Sequence, residues 1–142
     1  MIVACDGAAR GNPGPAGFGV HITDGDGTTL AEIAEGIGVA TNNVAEYRAA
    51  IAGLARAREL GATRILLRSD SKLLIEQLAG RFRVRNAGLK PLHAEARALM
   101  LVFDRVDLEH VPRERNREAD RLANVGVDRW LLTGSPVAQV VY

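Results

Sequence analysis

Long apolar runs are missing from this sequence, so no segment reads as a membrane span and no membrane partner is expected. Cysteine is nearly missing too: Cys5 stands alone, which excludes an internal disulfide and fits a reducing, cytoplasmic setting. Only four residues separate Met1 from Asp6, too few for the apolar region of a secretory signal. Aromatic residues make up 4% of the chain, and the net charge of +1 is too small to predict any partner by itself. Internal repeats and low-complexity tracts are absent. What is present is apolar content, 47% of 142 residues, enough to bury the core of one domain.

Charge is unevenly spread along the chain. Residues 1–50 carry two arginines against six acids, a balance of −4, whereas the remainder carries sixteen basic residues against eleven acids, or +5. Arg81, Arg83, Arg85 and Lys90 form a run opposed by no acid until Glu95. Such a run is a solvated surface or, set near an acidic metal-binding cluster, a grip for a phosphate backbone.

Periodicity predicts the elements. Residues 2–6 read as a short buried strand. Residues 17–23 and 30–39 read as extended segments joined by Asp24-Gly25-Asp26-Gly27, a strong hairpin signal. Thr41-Asn42-Asn43 offers caps for a helix running to about Leu60, with Tyr47, Ile51, Leu54 and Ala55 on one face and Gly61 closing it. A strand follows at 64–68, a helix at 71–78, a helical pattern at 90–102, a strand at 106–111 and a helix at 116–128. The order β-β-β-α-β-α-α-β-α describes an α/β domain over residues 1–132. Its mixed sheet has three antiparallel strands followed by strands parallel to the first. Residues 133–142 lack helical spacing and are expected to be a tail, a linker or a stray strand.

Four acids stand out against that frame. Asp6 ends the first strand and Asp70 follows the fourth, so parallel pairing brings both to one sheet edge, where ligand sites of such sheets form. Glu46 lies in the first turn of the Ala-rich helix, and Asp120 borders the apolar face of the last. Each has a plainer reading: Asp70 as an N-cap, Glu46 as the partner of Asn43 in a capping box, Asp6 as a turn-starter, Asp120 as a surface charge. Taken together, several carboxylates at one edge repel one another unless a cation binds there. Oxygen-only ligation points to Mg²⁺ or Mn²⁺.

Asp6-Gly7, Gly11-Asn12-Pro13-Gly14-Pro15, Thr41-Asn42-Asn43-x-x-Glu46, Ser69-Asp70-Ser71 and Asn116-Arg117-Glu118-Ala119-Asp120 resemble the successive motifs of type 1 ribonuclease H, in order, over residues 1 to about 130. The resemblance implies a five-stranded mixed sheet in the order 3-2-1-4-5 with helices on both faces. The activity it implies is endonucleolytic hydrolysis of the RNA strand of an RNA–DNA hybrid, leaving a 5′-phosphate and a 3′-hydroxyl. Two Mg²⁺ ions about 4 Å apart are implied, with Asp6 and Asp70 as central ligands, Glu46 on one ion and Asp120 completing the other site. Glu46, the backbone near Gly7 and the side chain of Asn12 are expected to read the RNA 2′-hydroxyl, and Asn42 resembles an asparagine of the family that lies in the minor groove. Lys72 is expected near phosphate, with Arg81, Arg83 and Arg85 adding grip. Asn116, from the last motif, is counted among the substrate-binding residues. No reader of base edges is evident, so little sequence specificity is expected.

The sequence departs from family members in three ways, one being Lys72, which stands where some relatives carry glutamine and reads as a phosphate contact or as a plain exposed lysine. The connection Val111-Pro112-Arg113-Glu114-Arg115-Asn116 is short and lacks the mobile histidine found there in relatives, leaving Arg113 or Arg115 as substitutes; His110 reads as structural. Residues 80–88 are too few for the basic-helix handle, which likens the chain to short archaeal-like forms. His21, His93, Cys5 and Trp130 carry no expected role beyond packing. The alternative is a non-catalytic hybrid-binding module on the same fold, expected to lack at least one of the four acids. A DNA-acting resolvase or transposase core needs insertions for which 142 residues leave no room. A Rossmann-type phosphate loop fails because its glycines lead into a strand. The expected assembly is a monomer.

Overall fold

The computed structural model describes residues 1–134 and the backbone of residues 140–141. Strands β1 (Ile2–Ala9), β2 (Gly14–Thr23) and β3 (Thr29–Ala40) form an antiparallel meander. All three are longer than their apolar patterns predict. The Gly/Pro-rich stretch after Asp6 enters the ladder, which runs on to Ala9↔Ala16, and the Arg10 N–H closes the turn on the Pro15 carbonyl at 2.8 Å. Asp6 therefore lies inside β1 rather than at its end.

Helix α1 (Asn42–Glu59) crosses to β4 (Arg64–Ser69), which runs parallel to β1 from Ile2↔Leu66 to Cys5↔Ser69. Next come α2 (Lys72–Leu78), α3 (Lys90–Met100), β5 (Arg105–His110), a 3-10 turn at Arg113–Arg115 and α4 (Arg117–Thr133). Strand β5 is parallel to β4. Read from β3, the first five strands stand in the order 3-2-1-4-5, as expected. A further short strand, β6 (Val140–Val141), pairs antiparallel with Ala31 and Glu32 on the outer edge of β3, whose outward N–H and C=O groups accept another strand. Of the expected tail, Thr133 belongs to α4, and residues 135–139 and 142 lie outside the described residues.

One core joins the sheet to α1, α2 and α3. Val3, Val20, Ile22, Leu54, Leu67 and Leu78 are wholly buried in it, each contributing roughly 1.5–3 kcal/mol of transfer free energy. On the other face α4 lies directly on β2. A Cβ at Gly19 would fall 2.3 Å from the Ala119 carbonyl oxygen, so only glycine lets helix and strand come this close. Trp130 rests on β3 at Gly36, the packing role expected of it. The three-layer arrangement leaves one sheet end, past Cys5 and Ser69, to be closed by the starts of α1, α2 and α4.

Candidate active site

The parallel pairing of β1 and β4 stops at Cys5↔Ser69. Beyond it β1 continues alongside β2 while the chain leaves β4 for α2, so a cleft opens where the strands part. Asp6 and Asp70 are the next residues on either side. Neither plainer reading of Asp70 or Glu46 survives. Ser71 is the N-cap of α2, its Oγ accepting from the Leu74 N–H at 3.2 Å. Thr41 is the N-cap of α1, its hydroxyl accepting from the Val44 N–H at 3.2 Å. Both carboxylates are left for other work.

Glu46 reaches the cleft because α1 passes tightly over Gly7. A Cβ there would lie 2.4 Å from the Glu46 backbone nitrogen. The glycine of the Asp-Gly motif thus serves helix packing first, a reason different from the access to RNA sugar that the sequence suggests. As a result one carboxylate oxygen from each of Asp6, Glu46 and Asp70 lies within 4.8 Å of the others. Asp120, in the first turn of α4, is half-buried and stands outside that tight trio. All four line one open depression of about 530 Å³.

Asp6 and Glu46 are each 4% exposed. Burial, then the negative charges of Glu46 and Asp70, push the Asp6 carboxyl well above the ordinary carboxylate range. Glu46 is raised likewise, first by burial and then by Asp70, although a bond from the Gly7 backbone opposes the shift. Glu46 Oε2 is buried with no hydrogen-bond partner. Among the described residues no cationic side chain pairs with the trio, and at the rim Arg113 stands 3.5 Å from Asp120. Repelling, desolvated carboxylates with an orphaned oxygen fit a hard cation. Among the described residues no other group of three such side chains converges.

The remaining expected residues separate. Asn42 lines the depression, and its N–H is taken by the side chain of Asn12 at 3.0 Å, so Asn12 ties the β1–β2 turn to the start of α1. Lys72 is exposed in the first turn of α2, away from the lining. Asn116 is 2% exposed; its amide donates to the Cys5 carbonyl at 3.0 Å and fastens α4 to β1, while its Oδ1 is buried without a hydrogen-bond partner. Arg81, Arg83 and Arg85 are exposed on the 80–88 loop, none of them lining the depression. Arg81 is bound to Glu76 through two bonds, at 2.6 and 3.0 Å.

Several residues at the rim had no role in the sequence reading. Arg10 pairs with Asp128 at 2.6 Å and Asn124 at 3.3 Å, tying the other side of the turn to α4. The spacing Asp120, Asn124, Asp128 on one helix face was the available signal. His110 lines the depression, its Nε2 bonded to the Asp70 carbonyl at 3.2 Å. Of the two candidate substitutes for the missing histidine, Arg113 stands at the rim beside Asp120, whereas Arg115 lines a separate hollow with Arg68 and His21.

The sheet order and the carboxylate cluster at its switch point define the ribonuclease H-like class. Residues 4–126 match the family model described as Reverse transcriptase-like. A bifunctional protein of Mycobacterium tuberculosis is 50% identical over 129 residues, covering 90% of this chain and 35% of that protein. Ribonuclease HI of Halobacterium salinarum is 46% identical over 123 residues, covering 87% of this chain and 62% of the relative. The chain thus spans between a third and two thirds of the length of these curated relatives. The crystal structure of LC11-RNase H1 in complex with an RNA/DNA hybrid superposes with a TM-score of 0.87 at 40% identity, covering 92% of this chain and 98% of that one. The chain belongs to the ribonuclease H family, in its type 1 form.

Proposed function

We propose that this chain is an endoribonuclease that hydrolyses the RNA strand of RNA–DNA hybrids with Mg²⁺, leaving a 5′-phosphate and a 3′-hydroxyl. The observation that carries the reading is the oxygen-only trio Asp6, Glu46 and Asp70, two of its members buried and one oxygen orphaned, beside Asp120 in a depression open to a long substrate. The relative solved with an RNA/DNA hybrid supports the choice of substrate.

Asp6 and Asp70 would be shared ligands of two divalent ions, with Glu46 on one and Asp120 on the other. Bound there, the ions supply a water activated for in-line attack on the scissile phosphorus and a counter-charge for the departing 3′ oxygen. This chain's own residues bind and orient. Asn42 and the backbone at Gly7 lie where the RNA sugar would pass, Asn12 sets the turn that carries them, and Lys72, Arg83 and Arg85 meet the phosphate backbone. No base-edge reader stands at the depression, which favours recognition by shape and 2′-hydroxyl over sequence. Arg113 is the group placed to exchange Asp120 for a phosphate during release. A non-catalytic hybrid-binding module is disfavoured because all four acids are retained. A monomer acting in the cytoplasm completes the reading; among the described residues no helix is long and apolar enough to cross a membrane.

The test is cleavage of an end-labelled hybrid with Mg²⁺, with EDTA in its place, and with an Asp70→Asn variant. RNA cleavage that needs Mg²⁺ and fails in the variant is expected. Equal cleavage by parent and variant, or none by the parent, overturns the proposal.

A further inference from the structure

Tyr47 follows Glu46 in α1, so the two side chains leave the helix about 100° apart. Glu46 faces the depression, and Tyr47 enters the core with 1% exposure. A phenol in that position needs a polar partner. Its hydroxyl donates to Gln77 Oε1 of α2 at 2.6 Å, and burial pushes its pKa up to about 12, which keeps it a donor. The other end of the Gln77 carboxamide is also engaged: Nε2 donates to the Arg83 carbonyl at 3.3 Å. From α3, His93 bonds the Gln77 backbone carbonyl at 3.1 Å and meets the Tyr47 ring edge-on, centroids 6.3 Å apart. Arg97 donates to the next carbonyl, that of Leu78.

Gln77 is 4% exposed, and a leucine would fill an α1–α2 contact with no amide to satisfy. The bond that a core residue does not need is the one leading out to Arg83. That bond, with the Arg81 and Phe82 N–H groups on the Glu76 carbonyl at 2.9 and 3.1 Å, sets the path of the 80–88 loop. Arg81 is folded back onto Glu76, whereas Arg83 and Arg85 are exposed, with no ion pair among the described residues.

We propose that Gln77, aligned by Tyr47, is a positioning residue that fixes the arginine loop to the helix carrying Glu46. Arg83 and Arg85 then stand in a set relation to the carboxylates and grip the phosphate backbone of the hybrid whose RNA strand lies there. The proposal rests on the hybrid-cleaving reading above and deepens it: the loop does the work of a handle, and a buried amide supplies its stiffness.

The experiment measures binding of a short fluorescent RNA–DNA hybrid in EDTA, between about 50 and 200 mM salt, for the parent, Gln77→Leu, Tyr47→Phe, and an Arg83→Ala/Arg85→Ala pair with and without Gln77→Leu. Both core variants should weaken binding at least about threefold at low salt and lower the salt slope by about 1. In cleavage assays the loss should appear in KM and not in kcat. Trypsin should nick the folded variants faster at the loop arginines. In the arginine-less background Gln77→Leu should add nothing, because its effect passes through those side chains. Tyr47→Phe, which keeps the ring in the core, carries the test if Gln77→Leu does not fold. Unchanged affinity and slope in the folded variants, or a loss of equal size without the arginines, overturns the proposal. Parental binding by the arginine pair itself removes the loop from the hybrid surface while leaving the Asp70→Asn result untouched, so the two readings fail separately.

Discussion

Asp6 and Glu46 lose nearly all their hydration in the fold while facing Asp70 at close range, and without a cation that arrangement opposes folding. Their raised proton affinities mean that the folded chain binds more protons than the unfolded chain from about pH 4 upward, where free carboxylates titrate. Metal-free stability should therefore fall as pH rises through that range, up to the raised native values. Calorimetry should show a lower Tm at about pH 8 than at about pH 5, with Mg²⁺ restoring more at the higher pH. An Asp6→Asn variant should melt a few degrees above the parent at about pH 8 without metal, and should lose the Mg²⁺ response along with activity. A flat pH profile would show that the trio is better solvated than its burial implies. Gly7→Ala acts through shape instead: its methyl meets the backbone of Glu46, so a loss of about 1–3 kcal/mol in urea unfolding is expected, with Glu46 displaced and cleavage reduced.

Among the elements, α4 has the most to align. It brings Asp120 to the depression, lies on β2 across Gly19, and is pinned at its start by Asn116 on the Cys5 carbonyl. Asn116→Ala leaves that buried carbonyl unpaired, which costs about 1–3 kcal/mol. Its signature should be an increased Mg²⁺ requirement for cleavage as Asp120 drifts; hydrogen exchange at the α4 N-terminus reports the loosening independently. Element types and order were legible in the sequence because turn residues and apolar periodicity are local. Boundaries were less so. Residues 7–9 and 14–16 read as loop from their glycines and prolines, yet cross-strand pairing carries the ladder through them. Helix α4 runs five residues past its expected end, where Trp130 packs on β3. From its motif Asn116 reads as a substrate contact, and its bond to the Cys5 carbonyl, 111 positions away, has no signal in the local sequence.

For the molecule as a whole, one continuous core spans the first five strands and α1 to α3, with α4 closing the opposite face. Unfolding should be a single cooperative event. Trp130, the only tryptophan, sits on the α4 side, so its fluorescence and far-UV circular dichroism should give the same urea midpoint. An earlier fluorescence transition would mark α4 as a separate unit. Charge is also organised at this scale: four carboxylates line the depression, while the exposed Arg81, Arg83 and Arg85 follow α2 on the 80–88 loop.

By itself the sequence determined the order of elements, the four acids and the motifs around them, because each is written in a few neighbouring residues. Tertiary structure alone decided which polar residues face the depression and which are buried. The glycine of the Asp-Gly pair lets α1 pass close above it, and Asn116 is tied to the Cys5 carbonyl. Tyr47 and Gln77 read as ordinary helix residues until the packing of α1 on α2 joins them and Gln77 meets the Arg83 carbonyl. The Tyr47–Gln77 and Asn116–Cys5 contacts join residues 30 and 111 positions apart. A local pattern carries no record of such a partner; only the packed chain brings it within hydrogen-bond reach.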